Sequence, residues 1–359
     1  MYAVIMAGGG GTRLWPMSRS ETPKPFLPLI DERSLLRRTF DRIVGHPELG
    51  LRPDDVAVVT ERRYGPMVRQ QVPGCRVIAE PVGRNTAAAI ALATLTFDRD
   101  PAEVMLVLPA DAWIDPARDG AYREVLKAVA RVARDGAFDI DAPLLTLGVE
   151  AERPATEYGY LRPSYDEGAV IDGVKMYPLS GFEEKPNLER ANALYSQLGV
   201  AWNAGIFLWQ RQAIRSAIDR YTGLMTMIGA VVTSESGLRA AYDRLMPVSI
   251  DHAVMEGAAR DRRVLMGSMS VGWSDLGSWT QLLAAIGGVG TGRVVPPNER
   301  AHAEERDLVI ERVNGILTVS DGPRDILGPN PVAHLSGAAE RREPIDALVA
   351  RVAEWEASQ

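Results

Sequence analysis

The sequence predicts an α/β fold: a mostly parallel mixed sheet flanked by helices, followed by a small C-terminal β-containing domain. Three observations predict it. Short apolar, β-rich runs alternate with helical patterns through the first 150 residues. A run of glycines stands directly after the first apolar run. A second glycine-rich run, Gly287 to Gly292, followed by Pro296-Pro297, marks a boundary. The expected domains are residues 1–286 and 287–359.

The elements follow in order. Strands are expected at Ala3–Met6, Val56–Thr60, Arg76–Ala79, Val104–Leu108 and Leu144–Val149. Helices are expected between them at Ser34–Val44, Tyr64–Gln71, Thr86–Phe97 and Ala121–Arg134, with Ser34 and Thr86 as N-caps. Such alternation gives a sheet covered on both faces, with ligands at the carboxyl ends of its strands. Gly8–Arg13, Glu80–Thr86 and Asp111 all fall immediately after an expected strand. From Glu157 to about Phe207 the pattern is less helical, with turns at Tyr158-Gly159-Tyr160 and Asp172-Gly173. Helices resume at Gln212–Arg220 and Ser236–Leu245. Beyond the boundary, Leu308–Glu311 and Ile316–Val319 flank Asn314-Gly315, a hairpin signal. The stripe Ile345, Leu348, Val349, Val352 and Trp355 has helical spacing and needs an apolar partner, either the main domain or the second subunit of a homodimer.

Composition narrows the function. The chain has 359 residues, 46% hydrophobic and 24% charged, as in globular proteins, and a net charge of -7. That balance argues against a general nucleic-acid binder. The single cysteine, Cys75, excludes an intrachain disulfide, and its context suggests a buried strand residue. The four histidines show no zinc spacing. No signal peptide and no membrane span are expected, so a cytoplasmic enzyme is the default.

The glycine loop carries the first chemistry. Four consecutive glycines, Gly8 to Gly11, let a backbone approach a ligand closely. Amides in such a turn can face an anion. Arg13 and Lys24 flank the loop with positive charge for phosphate oxygens. The loop is neither of the common nucleotide fingerprints. Counted from Gly8, the dinucleotide pattern requires glycine where Arg13 stands, and the Walker pattern requires Gly-Lys where Arg13-Leu14 stand. A solvated glycine turn is the plainer reading of the loop alone.

The wider pattern is more specific. Gly8 to Pro16, with Pro23-Lys24-Pro25-Phe26-Leu27, resembles the signature of sugar-1-phosphate nucleotidylyltransferases, in the form used by mannose-1-phosphate guanylyltransferases. Glu80 to Ala87, Leu108-Pro109-Ala110-Asp111, Glu157 to Tyr160, Phe182 to Pro186, Trp202 to Phe207 and Gly272 to Trp279 resemble that family's other segments. The resemblance extends from residue 1 to about 282.

The resemblance implies a Rossmann-like nucleotidyltransferase fold and the transfer of GMP from GTP to α-D-mannose 1-phosphate, with release of pyrophosphate. It implies Mg2+ as cofactor, held by Asp111 and Asp275. It implies nucleotide contacts from Ala7, Gly8, Gly9, Gly10, Gly11, Thr12, Arg13, Lys24, Glu80, Gly83, Arg84, Asn85, Thr86 and Asp111. It implies sugar-phosphate contacts from Tyr158, Gly159, Tyr160, Glu184, Lys185, Asn203 and Gly205. Arg13, Lys24 and Lys185 take the catalytic roles.

The residue types suit this chemistry. The reacting partners are both anionic, so catalysis rests on positioning and neutralising charge. Magnesium takes hard oxygen ligands, with one or two protein carboxylates. A compact ammonium at Lys185 neutralises a sugar phosphate. Glu184 and Asn203 can hydrogen-bond sugar hydroxyls, and Gly159 and Gly205 let backbone approach the sugar. Tyr158 and Tyr160 read equally as packing residues. Guanine offers two adjacent donors, which Glu80 can accept; alternatively backbone carbonyls read the base while Glu80 pairs with Arg84.

The chain departs from the family pattern at Pro25, usually Gln, and at Ala112, usually His. Its last 70 residues match poorly. Rival readings are a transferase for another sugar 1-phosphate, such as a heptose, and a catalytically weak nucleotide-sugar sensor.

Overall fold

The computed structural model describes residues 1–9, 14, 18, 20–197, 199–278, 281–282, 294–295, 308–313, 316–321 and 324–331. Residues 10–13 of the glycine loop and the 345–355 stripe lie outside the described residues.

Ten strands form one sheet: β1 (Tyr2–Met6), β2 (Val56–Glu61), β3 (Arg76–Glu80), β4 (Val104–Pro109), β5 (Leu144–Glu150), β6 (Tyr160–Pro163), β7 (Ala169–Ile171), β8 (Val174–Glu183), β9 (Ala201–Gln210) and β10 (Val264–Ser268). Their order is β3-β2-β1-β4-β9-β5-β10-β8-β6, with β7 on β8. The first four strands pair in parallel, as expected for strands joined by helical crossovers. The less helical stretch supplies antiparallel strands. β9 runs antiparallel to both β4 and β5, and β8 antiparallel to β6, β7 and β10. Asp172 and Gly173 turn β7 into β8 with φ of 49° and 79°, the paired positive values of a tight hairpin. Strand β6 also pairs back onto β9, Tyr160 opposite Trp202. This brings the Tyr158–Tyr160 turn to the strand that carries Asn203.

The helices among the described residues are α1 (Leu35–Ile43), α2 (Gly65–Gln71), α3 (Asn85–Thr96), α4 (Asp119–Asp135), α5 (Leu188–Tyr195), α6 (Arg211–Tyr221), α7 (Leu224–Gly229), α8 (Glu235–Arg244) and α9 (Glu256–Arg260). Ser34 caps α1 as expected, its Oγ accepting from the Arg37 amide at 3.1 Å. Thr86 does not cap α3. That helix starts one residue earlier, and the Thr86 hydroxyl accepts from the Ile250 amide at 2.8 Å. Helix α3 is apolar all round, so it must be covered all round. Residues Ala87 to Thr94 are buried against β2 and β3 on one side and α6 and α7 on the other. Cys75 is half-buried in the bend before β3 rather than inside the strand.

Two compact units divide the chain. One holds residues 1–8, 39–110 and 116–273, and the other holds 9–38, 111–115 and 274–359. The second unit contains a four-stranded sheet, β11 (Val294–Val295), β12 (Leu308–Val313), β13 (Ile316–Asp321) and β14 (Arg324–Pro331). The expected hairpin is present there, β12 antiparallel to β13 with Val313 opposite Ile316.

Candidate active site

The second unit gathers three candidate residues. Lys24 opens a short helical turn, Lys24–Phe26, and is 6% exposed despite its charge. Its Nζ lies 2.8 Å from Asp111 Oδ2 and also donates to the backbone carbonyl of Asp275. Asp111 and Asp275 are held near one another by a strand-like bridge. Trp113 N–H donates to Ser274 O at 2.8 Å, and Ser274 N–H returns to Trp113 O at 3.1 Å. Asp275 Oδ1 accepts from the Gly277 amide at 3.2 Å, which shapes the turn after it. The buried ammonium thus meets the Asp111 carboxylate and the Asp275 backbone carbonyl; hard oxygens of this kind suit Mg2+, which takes few protein carboxylates. No cluster of three or more metal-ligating side chains occurs among the described residues.

The first unit gathers the residues expected at the sugar phosphate. Asn203 stands in β9 at 9% exposure. Gly205, two residues on, has φ of 69°, and the pairing with β5 shifts register between Thr146 and Gly148. This bulge explains the Asn-Ala-Gly sequence: glycine accepts the left-handed backbone that re-aims the strand. Asn203 N–H donates to Gly159 O at 2.8 Å, which fixes the turn from the neighbouring segment. Glu184 and Lys185 follow β8 and form an ion pair at 3.0 Å. The Lys185 side chain is 59% exposed, and its φ is 44°. Such a conformation costs a non-glycine residue on the order of 1–3 kcal/mol, and residues of this kind cluster at functional sites. Asn85 and Leu276 share it, with φ of 66° and 45°, each inside one of the family-like segments.

Tyr158 and Tyr160 serve packing in this structure. The Tyr158 ring lies 4.9 Å from Trp202 and 5.6 Å from Trp273, centre to centre. Tyr160 is fully buried, its hydroxyl accepting from the Ala155 amide at 2.7 Å.

The residues of the first unit expected to contact the nucleotide sit at or just after strand ends, and Gly9 of the second unit follows them in the chain. Ala7 is buried after β1, donating to Val59 O at 2.8 Å and accepting from the Thr60 hydroxyl at 2.7 Å. Gly8 and Gly9 lead into the loop, and Gly9 has φ of 99°. Gly83 faces Glu61, whose carboxylate an added Cβ would meet at 3.0 Å. Glu80 ends β3 and is 4% exposed, with Oε1 lacking a hydrogen-bond partner among the described residues. Burial pushes its carboxyl up to about 8, opposed by the Tyr242 hydroxyl and assisted by Glu61. The alternative pairing of Glu80 with Arg84 does not form. Arg84 Nε donates instead to the Tyr242 carbonyl at 2.6 Å.

Sequence reasoning missed Asp251 and Glu256. Asp251 opens a helical turn that continues into α9, and its Oδ1 accepts from Asn203 Nδ2 at 2.7 Å. Burial, then the neighbouring Glu184 carboxylate, hold the Asp251 carboxyl well above the usual range. Glu256 Oε1 accepts from the Glu184 amide at 3.0 Å. An acidic residue at a helix start reads locally as a helix-end charge. Only the folded chain brings these two to Asn203 and Glu184.

Known proteins resemble this chain in both sequence and fold. The family model described as nucleotidyl transferase matches residues 2–290. The chain belongs to the nucleotidyl transferase family. A mannose-1-phosphate guanylyltransferase of Sinorhizobium fredii is 31% identical over 98% of this chain and 69% of its own length. The alginate biosynthesis protein AlgA of Pseudomonas putida is 35% identical over 79% of this chain. The chain spans only 57% of that protein. A Thermus thermophilus crystal structure described as a mannose-1-phosphate geranyltransferase superposes with a TM-score of 0.70 at 30% identity, covering 89% of this chain and 95% of that one. These relatives bear out the resemblance read from the motifs and the α/β mixed-sheet nucleotidyltransferase fold. The chain is a nucleotidyltransferase.

Proposed function

We propose that this chain transfers GMP from GTP to α-D-mannose 1-phosphate, giving GDP-mannose and pyrophosphate. The observation that carries the reading is the convergence of Lys24 on Asp111 and Asp275. A sensor has no need of a buried ammonium tied to two aspartates, whereas nucleotidyl transfer needs preorganised charge around a triphosphate. The names of the relatives supply the substrates.

In this reading Arg13 and Lys24 stabilise the charge growing on the leaving pyrophosphate. Lys185 holds the sugar phosphate and offsets its charge. Glu184 and Asn203 orient the sugar, and backbone at Gly159 and Gly205 closes on it. Asp111 and Asp275 hold Mg2+, which when bound neutralises phosphate oxygens. The segment from Glu80 to Thr86 serves the nucleoside. The reaction belongs in the cytoplasm, where nucleoside triphosphates are at hand. No helix among the described residues is long and apolar enough to cross a membrane.

The test is pyrophosphate release from a panel of sugar 1-phosphates with the four common nucleoside triphosphates. Highest kcat/KM with mannose 1-phosphate and GTP is the expected result. A preference for another pair replaces the substrates, and no release with any pair removes the reading.

A further inference from the structure

The segment Ser249–Glu256 binds three elements of the site at once. Its Ile250 amide donates to Thr86 Oγ1 at 2.8 Å. Its Asp251 Oδ1 accepts from Asn203 Nδ2 at 2.7 Å. Its Glu256 accepts from the Glu184 amide at 3.0 Å and lies 3.2 Å from His252 Nδ1.

The bonds at Asn203 decide what its side chain can offer. An amide oxygen has two lone pairs and an amide nitrogen two hydrogens. Asn203 Oδ1 accepts from the Thr146 hydroxyl at 2.6 Å and from the Gly205 amide at 3.2 Å, which fills it. One N–H is committed to Asp251. The remaining group is one N–H. Rotating the amide by half a turn would set its oxygen against the Asp251 carboxyl and its N–H groups against the Gly205 N–H. Asp251 and the Gly205 amide therefore fix the orientation together, one at each end of the side-chain amide. Glu184 stands close by through Gly159: the Gly159 carbonyl accepts from the Asn203 amide, and a Cβ on Gly159 would lie 2.6 Å from Glu184 Oε2.

We propose that Asp251 is a positioning residue for the sugar phosphate, locking Asn203 so that it presents a hydrogen-bond donor to a sugar hydroxyl beside the acceptor carboxylate of Glu184. The inference rests on the function proposed above. A hydroxyl that accepts from Asn203 and donates to Glu184 is matched on both sides. A deoxy sugar at that carbon leaves both protein groups unpaired. The arrangement thus selects by hydroxyl pattern, apart from any selection of the base.

The test is Asp251→Asn, which keeps the shape and gives residue 251 an amide whose N–H2 can face Asn203. Mannose 1-phosphate is titrated by calorimetry into wild type and variant, and KM values are measured for mannose 1-phosphate and for GTP. The expected result is a rise of about ten- to a hundredfold in Kd and KM for mannose 1-phosphate, with the GTP KM within about twofold of wild type. Unchanged sugar-phosphate affinity in a folded variant, or an equal rise in both KM values, overturns the inference. Thr146→Val is the second variant, should the first not fold. It removes the donor into Asn203 Oδ1 and should raise the mannose 1-phosphate KM alone; no rise overturns the inference. Wild type that binds mannose 1-phosphate but shows no turnover with GTP counts against the proposed reaction, and the Kd ratio still decides the role of Asp251. Wild type that fails to bind it overturns the positioning role.

Discussion

The ammonium of Lys24 lies 2.8 Å from Asp111 Oδ2 and at the same time donates to the backbone carbonyl of Asp275. A side chain 6% exposed and tied to both segments cannot be replaced by a larger cation without displacing them. Lys24→Met should lower kcat by roughly 10²–10³, the usual loss for one preorganised charge. Lys24→Arg should not restore it, because a planar guanidinium does not fit a point-charge site. Steady-state kinetics on variants with a normal circular dichroism spectrum check this. Near-wild-type turnover in Lys24→Met would remove the residue from the mechanism.

Asp275 has both a local and a proposed ligand role, and the two separate cleanly. Its Oδ1 accepts from the Gly277 amide at 3.2 Å, a bond that an asparagine oxygen reproduces. Asp275→Asn should therefore melt within a few degrees of wild type, yet lose on the order of 10²-fold or more in turnover and need more Mg2+ for half-maximal rate. Chelation should abolish wild-type activity and added Mg2+ restore it. A variant with unchanged Mg2+ dependence would leave Asp275 as a turn residue.

Glu80 links stability to pH. Its folded-state carboxyl is raised from 4.5 to about 8 by burial. The unfolded chain releases that proton near its ordinary value, while the folded chain keeps it until about 8. Between those values the native state binds more protons, so its stability falls as pH rises and levels off above about 8. A tenfold change in proton affinity is worth about 1.4 kcal/mol, so the full effect is at most on the order of 5 kcal/mol. Glu80→Gln abolishes the titration. Its melting temperature relative to wild type should climb from pH 5 to about pH 8.5, as thermal melts across that range will show. Parallel melting curves at all pH values would place the titration elsewhere. If Glu80 also reads guanine, the same variant should narrow the GTP preference over ATP by about 1–3 kcal/mol.

What is legible in the sequence is local. Continuous apolar runs locate β1, β2, β4 and β5 because those strands are buried along nearly their whole length, on both faces of the sheet. Ser34 is legible as a cap because its partner, the Arg37 amide, is three residues away. The antiparallel pairing of β12 with β13 is legible for the same reason, since the two strands are close in the chain. Thr86 misleads because its hydroxyl finds Ile250, 164 residues on, in place of its own helix. Asp251 is invisible because its meaning lies in Asn203, 48 residues earlier, on a strand whose bulge only the sheet register reveals. The antiparallel strands β6 to β8 show only as a loss of helical pattern. Strands β6 and β7 span only four and three residues, too short for a period of two to stand out. The motifs supply candidates for the site, but the hydrogen bonds that orient those candidates are long-range.

Gly159 gives the sharpest separation of site from scaffold. A Cβ added there would lie 2.6 Å from Glu184 Oε2 and 3.4 Å from the Phe182 ring. The first neighbour is the tip of a flexible side chain, so Gly159→Ala can be accommodated by swinging the Glu184 carboxylate away. The second contact is tight but tolerable. Stability should fall by only about 1 kcal/mol, within the range of ordinary single substitutions. Displacing Glu184 breaks its ion pair with Lys185, now 3.0 Å, and removes an acceptor proposed to face the sugar. The mannose 1-phosphate KM should therefore rise by about tenfold or more, while the GTP KM stays near wild type. Glu184→Gln should raise the same KM, and the double variant should do little more than either single change, because both act through one carboxylate. Fully additive effects in that double-mutant cycle would show that Gly159 acts through backbone approach and not through Glu184.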